Sequence, residues 1–375
     1  MDSITRIIAA YDGQGVHRTG TAVDDASARW LAGEIERLGV TPQLVPFSLD
    51  RLDVVTARAT VAGVAYEGLP RFDGPATGPD GISGRIGLLD SGADIGLAVT
   101  AARGDRSVEA SRRARGHRAV LNVTLGDPPG LTPINADDFT RPFGPPVLQL
   151  SNEYRSALER AAKTGADATV VIETRRTPAK ACNVTARIAG RKPELPPLVV
   201  MTPRSGWWQC ASERGGGLVL FLEIMRAVKA AAPARSVIFT ANSGHELGHL
   251  GLDHFIHVEP GLVKQAHCWI HLGANFAAAI RPQVRLQASD ETLFDQARAA
   301  MGTEGVTPDV ETPVGQRPRG EARNIFDGRG RYVSLLGGNG LFHHPNDRWP
   351  DAVDAEKTAK LARAFSALAV AMAAG

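Results

Sequence analysis

The sequence predicts an α/β fold: a mixed, largely parallel central sheet flanked by helices, interrupted by a small β-rich insert. Beyond Pro196-Pro197, fully apolar strands alternate with helical stretches, the pattern of a sheet buried on both faces. Between about residues 50 and 180 the texture changes to short apolar runs punctuated by Gly and Pro. A chain of 375 residues has room for both units and for a sizeable core. The expected division is 1–50 with 181–375 as the α/β unit, and 51–180 as the insert.

Residues 24–38 (DDASARWLAGEIERL) read as a helix. Asp24 or Asp25 is the expected cap, Trp30, Leu31, Ile35 and Leu38 recur at helical spacing, and Gly39 stands at the C′ position. A short strand, QLVPF, follows. Within the insert, TARATVAG, GRIGLLD, AVLNVT, PVLQLS and ATVVIET read as strands, with helices near 106–115 and 152–164. Leu198-Val-Val-Met and Ser236-Val-Ile-Phe-Thr-Ala read as buried strands on either side of a helix at 217–230. In open α/β sheets ligands bind beyond the carboxyl ends of the strands. That rule directs attention to the residues after 201, 241, 270 and 336.

Bulk properties exclude several classes. A formal charge of +2 with scattered Lys and Arg is no footprint for nucleic acid or for an anionic membrane. No apolar run is long enough to span a bilayer, and MDSITRIIAAYDGQG has no signal-peptide pattern. Cys182, Cys210 and Cys268 are an odd number without CxxC spacing, as expected of a reducing compartment. A cytoplasmic location is the expectation.

Eight of the ten histidines lie after residue 244, several at strand ends beside carboxylates, which is where a metal or acid–base site would form. His245-Glu246-Leu-Gly-His249 matches HExxH, but that motif needs a continuous helix to put both histidines on one face. Ser243-Gly244 before it and Gly248 and Gly251 within and after it favour a strand–turn–helix junction instead.

The order of strand, loop, buried helix, strand, acidic turn and terminal His343-His344-Pro345-Asn346-Asp347 resembles the co-catalytic zinc aminopeptidase family. That family includes bacterial leucyl aminopeptidases, glutamate carboxypeptidase and, as a relative, glutaminyl cyclase. His17-Arg-Thr-Gly-Thr resembles its opening segment, and the β-rich middle resembles the protease-associated domain that many members carry. The resemblance implies that Glu246 keeps a ligand position while His245 replaces the general base. Glu213 falls where the metal-bridging Asp would be, His343 at the terminal ligand, and His271 at the later Asp. Pro203-Arg204-Ser205 replaces His-x-Asp, so one ligand is lost.

On this basis Glu213, Glu246 and His343 are expected to hold one divalent metal, zinc first among the candidates, with a metal-free site as the alternative. His344 could replace His343 after a one-residue slip. His245 and His271 are the acid–base candidates. Arg204, Trp207 and Trp208, on the loop that lost the ligand, suit a substrate with a carboxylate and an apolar portion. Glu321 and Arg323 lie in a Gly/Pro-rich loop, 312–331, that is expected to fold over the pocket and add a substrate contact through Glu321. The expected function is a metal-dependent hydrolase of an amide or related bond in a small or short peptide-like substrate. A cyclase, lyase or isomerase on the same scaffold, or an inactive binding protein, are the alternatives. No nucleic acid or membrane partner is expected, and a homodimer is admitted.

Overall fold

A computed structural model describes residues 3–101 and 106–375. Two helices open the chain, α1 (Ser3–Asp12) and α2 (Ala22–Arg37). Thr21 caps α2 by accepting from the Asp24 amide, so the cap falls three residues before the expected Asp24, which is buried instead. Gly39 does adopt the left-handed backbone (φ 67°) that ends the helix.

The strand expected at QLVPF is the start of a far longer one, β1 (Pro42–Val61). It is followed by β2 (Val64–Pro70), β3 (Ile82–Leu88), β4 (Ile95–Ala101), α3 (Ser107–Ala114), β5 (Ala119–Leu125), β6 (Val147–Leu150), α4 (Arg155–Thr164) and β7 (Asp167–Ile188). β1 and β7 pair antiparallel along nearly their whole length, with one irregularity at Val54/Thr56. At one end, β1-β2-β6-β5-β4-β3-β7 closes on itself as a ring through the β1–β7 pairing. The ring encloses its own core of Ile86, Leu97, Leu121, Leu148, Leu158 and Val170.

At the other end β7 pairs with β9 and so joins the α/β unit. This unit holds β8 (Leu198–Pro203), α5 (Ala211–Ala231), β9 (Val237–Asn242), α6 (Leu250–Val258), α7 (Leu262–Gln265), β10 (Cys268–Leu272) and β11 (Gln283–Ala288). It closes with α8 (Glu291–Thr303), β12 (Val310–Glu311), α9 (Ala322–Asp327), β13 (Tyr332–Gly338) and α10 (Ala355–Ala373). The strand order β7-β9-β8-β10-β13-β11-β12 has parallel β9-β8-β10-β13 at its centre and antiparallel neighbours on either side. Every residue of β8, β9 and β10 is buried, which explains their largely apolar sequence. On one face α1, α2, α5, α8 and α10 pack against Leu198, Val200, Phe239 and Ile270. Phe255, Trp269 and Ile325 cover the other. α5 begins six residues before the expected 217, and that extra turn carries Glu213 and Arg214. No helix among the described residues is long and apolar enough to cross a membrane.

Candidate active site

The carboxyl ends of β8, β9, β10 and β13 converge, and the turn after β9 sets the first group of residues. Gly244 (φ 86°) makes that turn; a side chain there would meet Leu250 Cβ at 2.8 Å. Residues 245–247 form a single tight turn, Gly248 and His249 also have positive φ, and α6 starts only at Leu250. The HExxH segment is therefore no helix, as its glycines suggested. The rings of His245 and His249 nevertheless stack, 4.9 Å apart.

His245 Nδ1 lies 3.0 Å from Glu321 Oε1. Against a carboxylate this nitrogen is the donor, which leaves Nε2 as an acceptor. Burial and the nearby Arg214 guanidinium hold His245 well below the ordinary histidine pKa. The neighbouring His249 is ordered similarly. Asn324 gives its amide N–H to Asp253 (2.7 Å), so its oxygen accepts from His249 Nδ1 (2.8 Å). His271, at the end of β10, contacts Ser334 Oγ through Nδ1 at 2.8 Å, and its buried Nε2 has no hydrogen-bond partner among the described residues. Burial lowers His271 to about 4. Gly273 and Gly320 leave room for this ring; a side chain on either would approach His271 Cε1 to 2.7 and 2.9 Å.

These three histidines line a cavity of about 410 Å³ that is also walled by arginines from the 312–331 loop. A second cleft, about 430 Å³, lies beside Phe47, Phe139 and His254 and has no comparable cluster.

Behind His245 lies a sealed polar group. Glu213, in the first turn of α5, is 2.7 Å from Arg214 Nη2 and 3.5 Å from His343 Nε2. Burial works against the Glu213 charge, but Arg214 and then His343 outweigh it and hold the carboxyl far below its usual range. Arg214 Nε donates to Ser205 O (2.7 Å), and Nη2 is held by its ion pair with Glu213. His343 donates from Nδ1 to Pro133 O (2.6 Å). Asp347 caps α5, accepting from Ser212 N, Ser212 Oγ and Glu213 N. Buried polar atoms are nearly always hydrogen-bonded. Here Glu213 Oε2, His271 Nε2, Glu321 Oε2 and Arg214 Nη1 lack such a bond among the described residues.

The expected single-metal shell of Glu213, Glu246 and His343 is not assembled. Glu213 and His343 adjoin, but both Glu246 oxygens are engaged elsewhere, one by Thr19 N (2.8 Å) and the other by Ser205 Oγ (2.7 Å). No group of three or more His, Cys, Asp or Glu among the described residues is arranged to hold a metal ion. Arg214 sets a fixed positive charge against Glu213, 2.7 Å away. Three protein ligands for one metal are therefore not gathered at Glu213, Glu246 and His343.

The loop residues expected to touch substrate are mostly inward. Arg204 is buried, pairs with Asp24 (2.9 Å) and donates to Cys182 O. Trp207 is buried edge-on to Phe72 and bonded to Asn135. Trp208 donates to His343 O. None of the three lines the cavity. Glu321 stands behind His245 and is completely buried. His344 turns away, toward Pro129 O. Sequence reasoning assigned no role to His249, Arg285 or Arg319; the RPRG run at 317–320 was the available signal.

No protein-family model matches the chain, and no curated protein matches it in sequence. Solved structures do. The zinc aminopeptidase BSAP of Bacillus subtilis superposes with a TM-score of 0.78 at 18% identity, over 99% of this chain and 93% of that one. An aminopeptidase from Aneurinibacillus sp. strain AM-1 gives 0.75 at 17% over the same shares. A peptidase M28 precursor from Shewanella amazonensis gives 0.79 at 14%, again over 99% and 93%. The fold is the zinc aminopeptidase fold. At these identities the likeness concerns architecture, with a central mixed sheet flanked by helices in each.

Proposed function

We propose that the chain is a hydrolase of an amide-type bond in a small substrate, with His245 as the general acid–base group. The observation that supports this is the His245–Glu321 contact at 3.0 Å, on a histidine that lines the cavity. Glu321 fixes the ring and its tautomer, so Nε2 receives a proton from the attacking water and returns it to the leaving nitrogen. Because His245 stays neutral well below its ordinary pKa, it is in the accepting form at neutral pH. Arg323, on the cavity wall, supplies positive charge for the oxyanion that forms as water adds. Arg214 is sealed from the cavity and acts through its field on His245. The fold neighbours, described as aminopeptidases and a peptidase, support hydrolysis of a peptide-like bond.

The test is turnover of a panel of acylated amino acids and short peptides. His245→Gln is expected to abolish turnover of any substrate found and to leave its binding intact; a fully active His245→Gln enzyme would overturn the reading.

A second reading has its own observation. Glu213 Oε2 is buried with no hydrogen bond among the described residues, His343 Nε2 has only Glu213 Oε1 at 3.5 Å, and the fold is that of zinc enzymes, which favours a divalent ion between them. Metal analysis of protein purified without chelator decides between the two. One bound equivalent, lost together with activity on dialysis against a chelator, establishes the second reading; full activity without metal establishes the first.

A further inference from the structure

The cavity in front of His245 has a one-sided charge. Arg106, Arg285, Arg317, Arg319 and Arg323 line it together with three histidines, and no Asp or Glu does among the described residues. Two of these cations are neutralised locally, Arg106 by Asp137 and Arg317 by Asp327. The others are not. Arg319 and Arg323 have no ion pair or side-chain hydrogen bond among the described residues, and Arg285 has only Thr312 Oγ1 at 3.3 Å. Like charges gathered at a partly enclosed surface repel one another, and this chain leaves dozens of exposed positions where they would cost less. Arg323 is half-buried, and burial followed by the proximity of Arg317 lowers its pKa against the opposing pull of Asp137, Glu321 and Asp253.

We propose that Arg285, Arg319 and Arg323 form an anion-recognition subsite, and that the substrate bears a carboxylate or phosphate group beside its scissile bond and no free α-amine. The identification of the bond rests on the hydrolase reading above; the charge preference does not. Guanidinium forks match the geometry of oxyanions and make charge-assisted hydrogen bonds to them. A free ammonium group, by contrast, would enter a cavity lined by cations with no carboxylate to receive it. The subsite therefore selects against amino-terminal peptide substrates and for acylated, acidic ones. The polypeptide that builds it is short, since Arg319 and Arg323 flank the Gly320 turn (φ 67°), whose lack of a side chain lets this loop sit against His271.

The experiment measures binding, so that it succeeds or fails independently of catalysis. Calorimetric titration is carried out on the full chain carrying His245→Gln, and on the same chain with Arg319→Gln and Arg323→Gln added. Four probes are used: N-acetyl-glutamate, N-acetyl-phosphoserine, the neutral N-acetyl-glutamine amide, and the cationic leucinamide. At least one anionic probe should bind about tenfold or more tightly than the neutral one, and its affinity should fall with added salt. Loss of both arginines should weaken that probe by about a hundredfold while leaving the neutral probe unchanged. Which of the two anions binds more tightly then names the group. Absence of saturable binding of both anions up to millimolar concentration, equal binding of leucinamide, or an unaffected double-arginine variant would each overturn the proposal. Circular dichroism of the variants guards against simple unfolding. If folding is lost, the single Arg319→Gln variant, at an exposed position, carries the same prediction with a tenfold weakening.

Discussion

Arg214→Met removes the one guanidinium that faces Glu213 and leaves a side chain of similar length. In the wild type, Arg214 Nη2 stands 2.7 Å from Glu213 Oε1, and both residues are 1% exposed. Opposite charges about 4 Å apart attract by about 4 kcal/mol at an effective dielectric constant near 20. Breaking a buried pair by removing one partner typically costs about 3–5 kcal/mol, because the remaining charge is stranded. Urea unfolding at pH 7.5, followed by circular dichroism, should therefore show a loss in that range. Its pH dependence gives a second check. With Arg214 present, Glu213 has a depressed pKa, so its stabilising contribution is full above about 4.5 and fades as pH falls. Without Arg214 the buried carboxyl has a raised pKa, so the variant regains stability relative to wild type as pH drops and Glu213 takes a proton. Adding Glu213→Gln to Arg214→Met should recover much of the loss at pH 7.5. A variant within about 1 kcal/mol of wild type at pH 7.5 would refute the assignment of Arg214 as the charge that Glu213 depends on.

His245→Ala should lower kcat/KM on any substrate found by about 10²–10⁴-fold, read from initial rates, and a smaller change would remove His245 from the chemistry. Glu321→Gln should lower kcat more than it raises KM, since Glu321 orients His245 without reaching the cavity; an effect on KM alone would count against this. His17 and His271 are buried with pKa values lowered to about 3 and about 4, and His245 and His249 are lowered as well. The unfolded chain then binds more protons below pH 6.5, so stability must fall as pH drops through that value. His271 alone contributes on the order of 3 kcal/mol by pH 4. A melting temperature unchanged between pH 7.5 and 5 would contradict this. Trp207→Ala should destabilise by about 3–5 kcal/mol in urea through the cavity it leaves, because Trp207 is buried against Phe72.

Much of the architecture was legible because periodicity reports burial. The short, largely apolar runs at 198–201 and 236–241 read as strands covered on both faces, and they are the middle of the sheet. The start of α5 was missed because Ser212, Glu213 and Arg214 look like surface residues. They are helical and buried since Asp347, 134 residues or more away in sequence, supplies the cap and Ser205 the contact for the guanidinium. The metal expected at Glu213, Glu246 and His343 followed from the family resemblance, which does not report how each carboxylate is partnered. Glu246 does stand at the strand end, but Thr19 and Ser205 claim its oxygens, a partnership that no spacing rule announces. His245 and Glu321 were each singled out, yet their contact across 76 positions appears only once the 312–331 loop is folded over the turn. The loop after β8 departs in the opposite direction: Arg204 and Trp207, expected to meet substrate, turn inward, where Asp24 and Phe72 await them.

β1 and β7 run without a break from the closed ring into the large sheet, 20 and 22 residues long, and each belongs to both bodies. Two lobes joined by a flexible tether can swivel and melt apart; two lobes threaded on a shared double-stranded beam cannot. Force applied to the ring is transmitted to the floor of the cavity through hydrogen-bonded backbone, with the kink at Val54/Thr56 as the one place where the beam can give. The two cores should accordingly lose their structure together, in one cooperative heat-absorption peak.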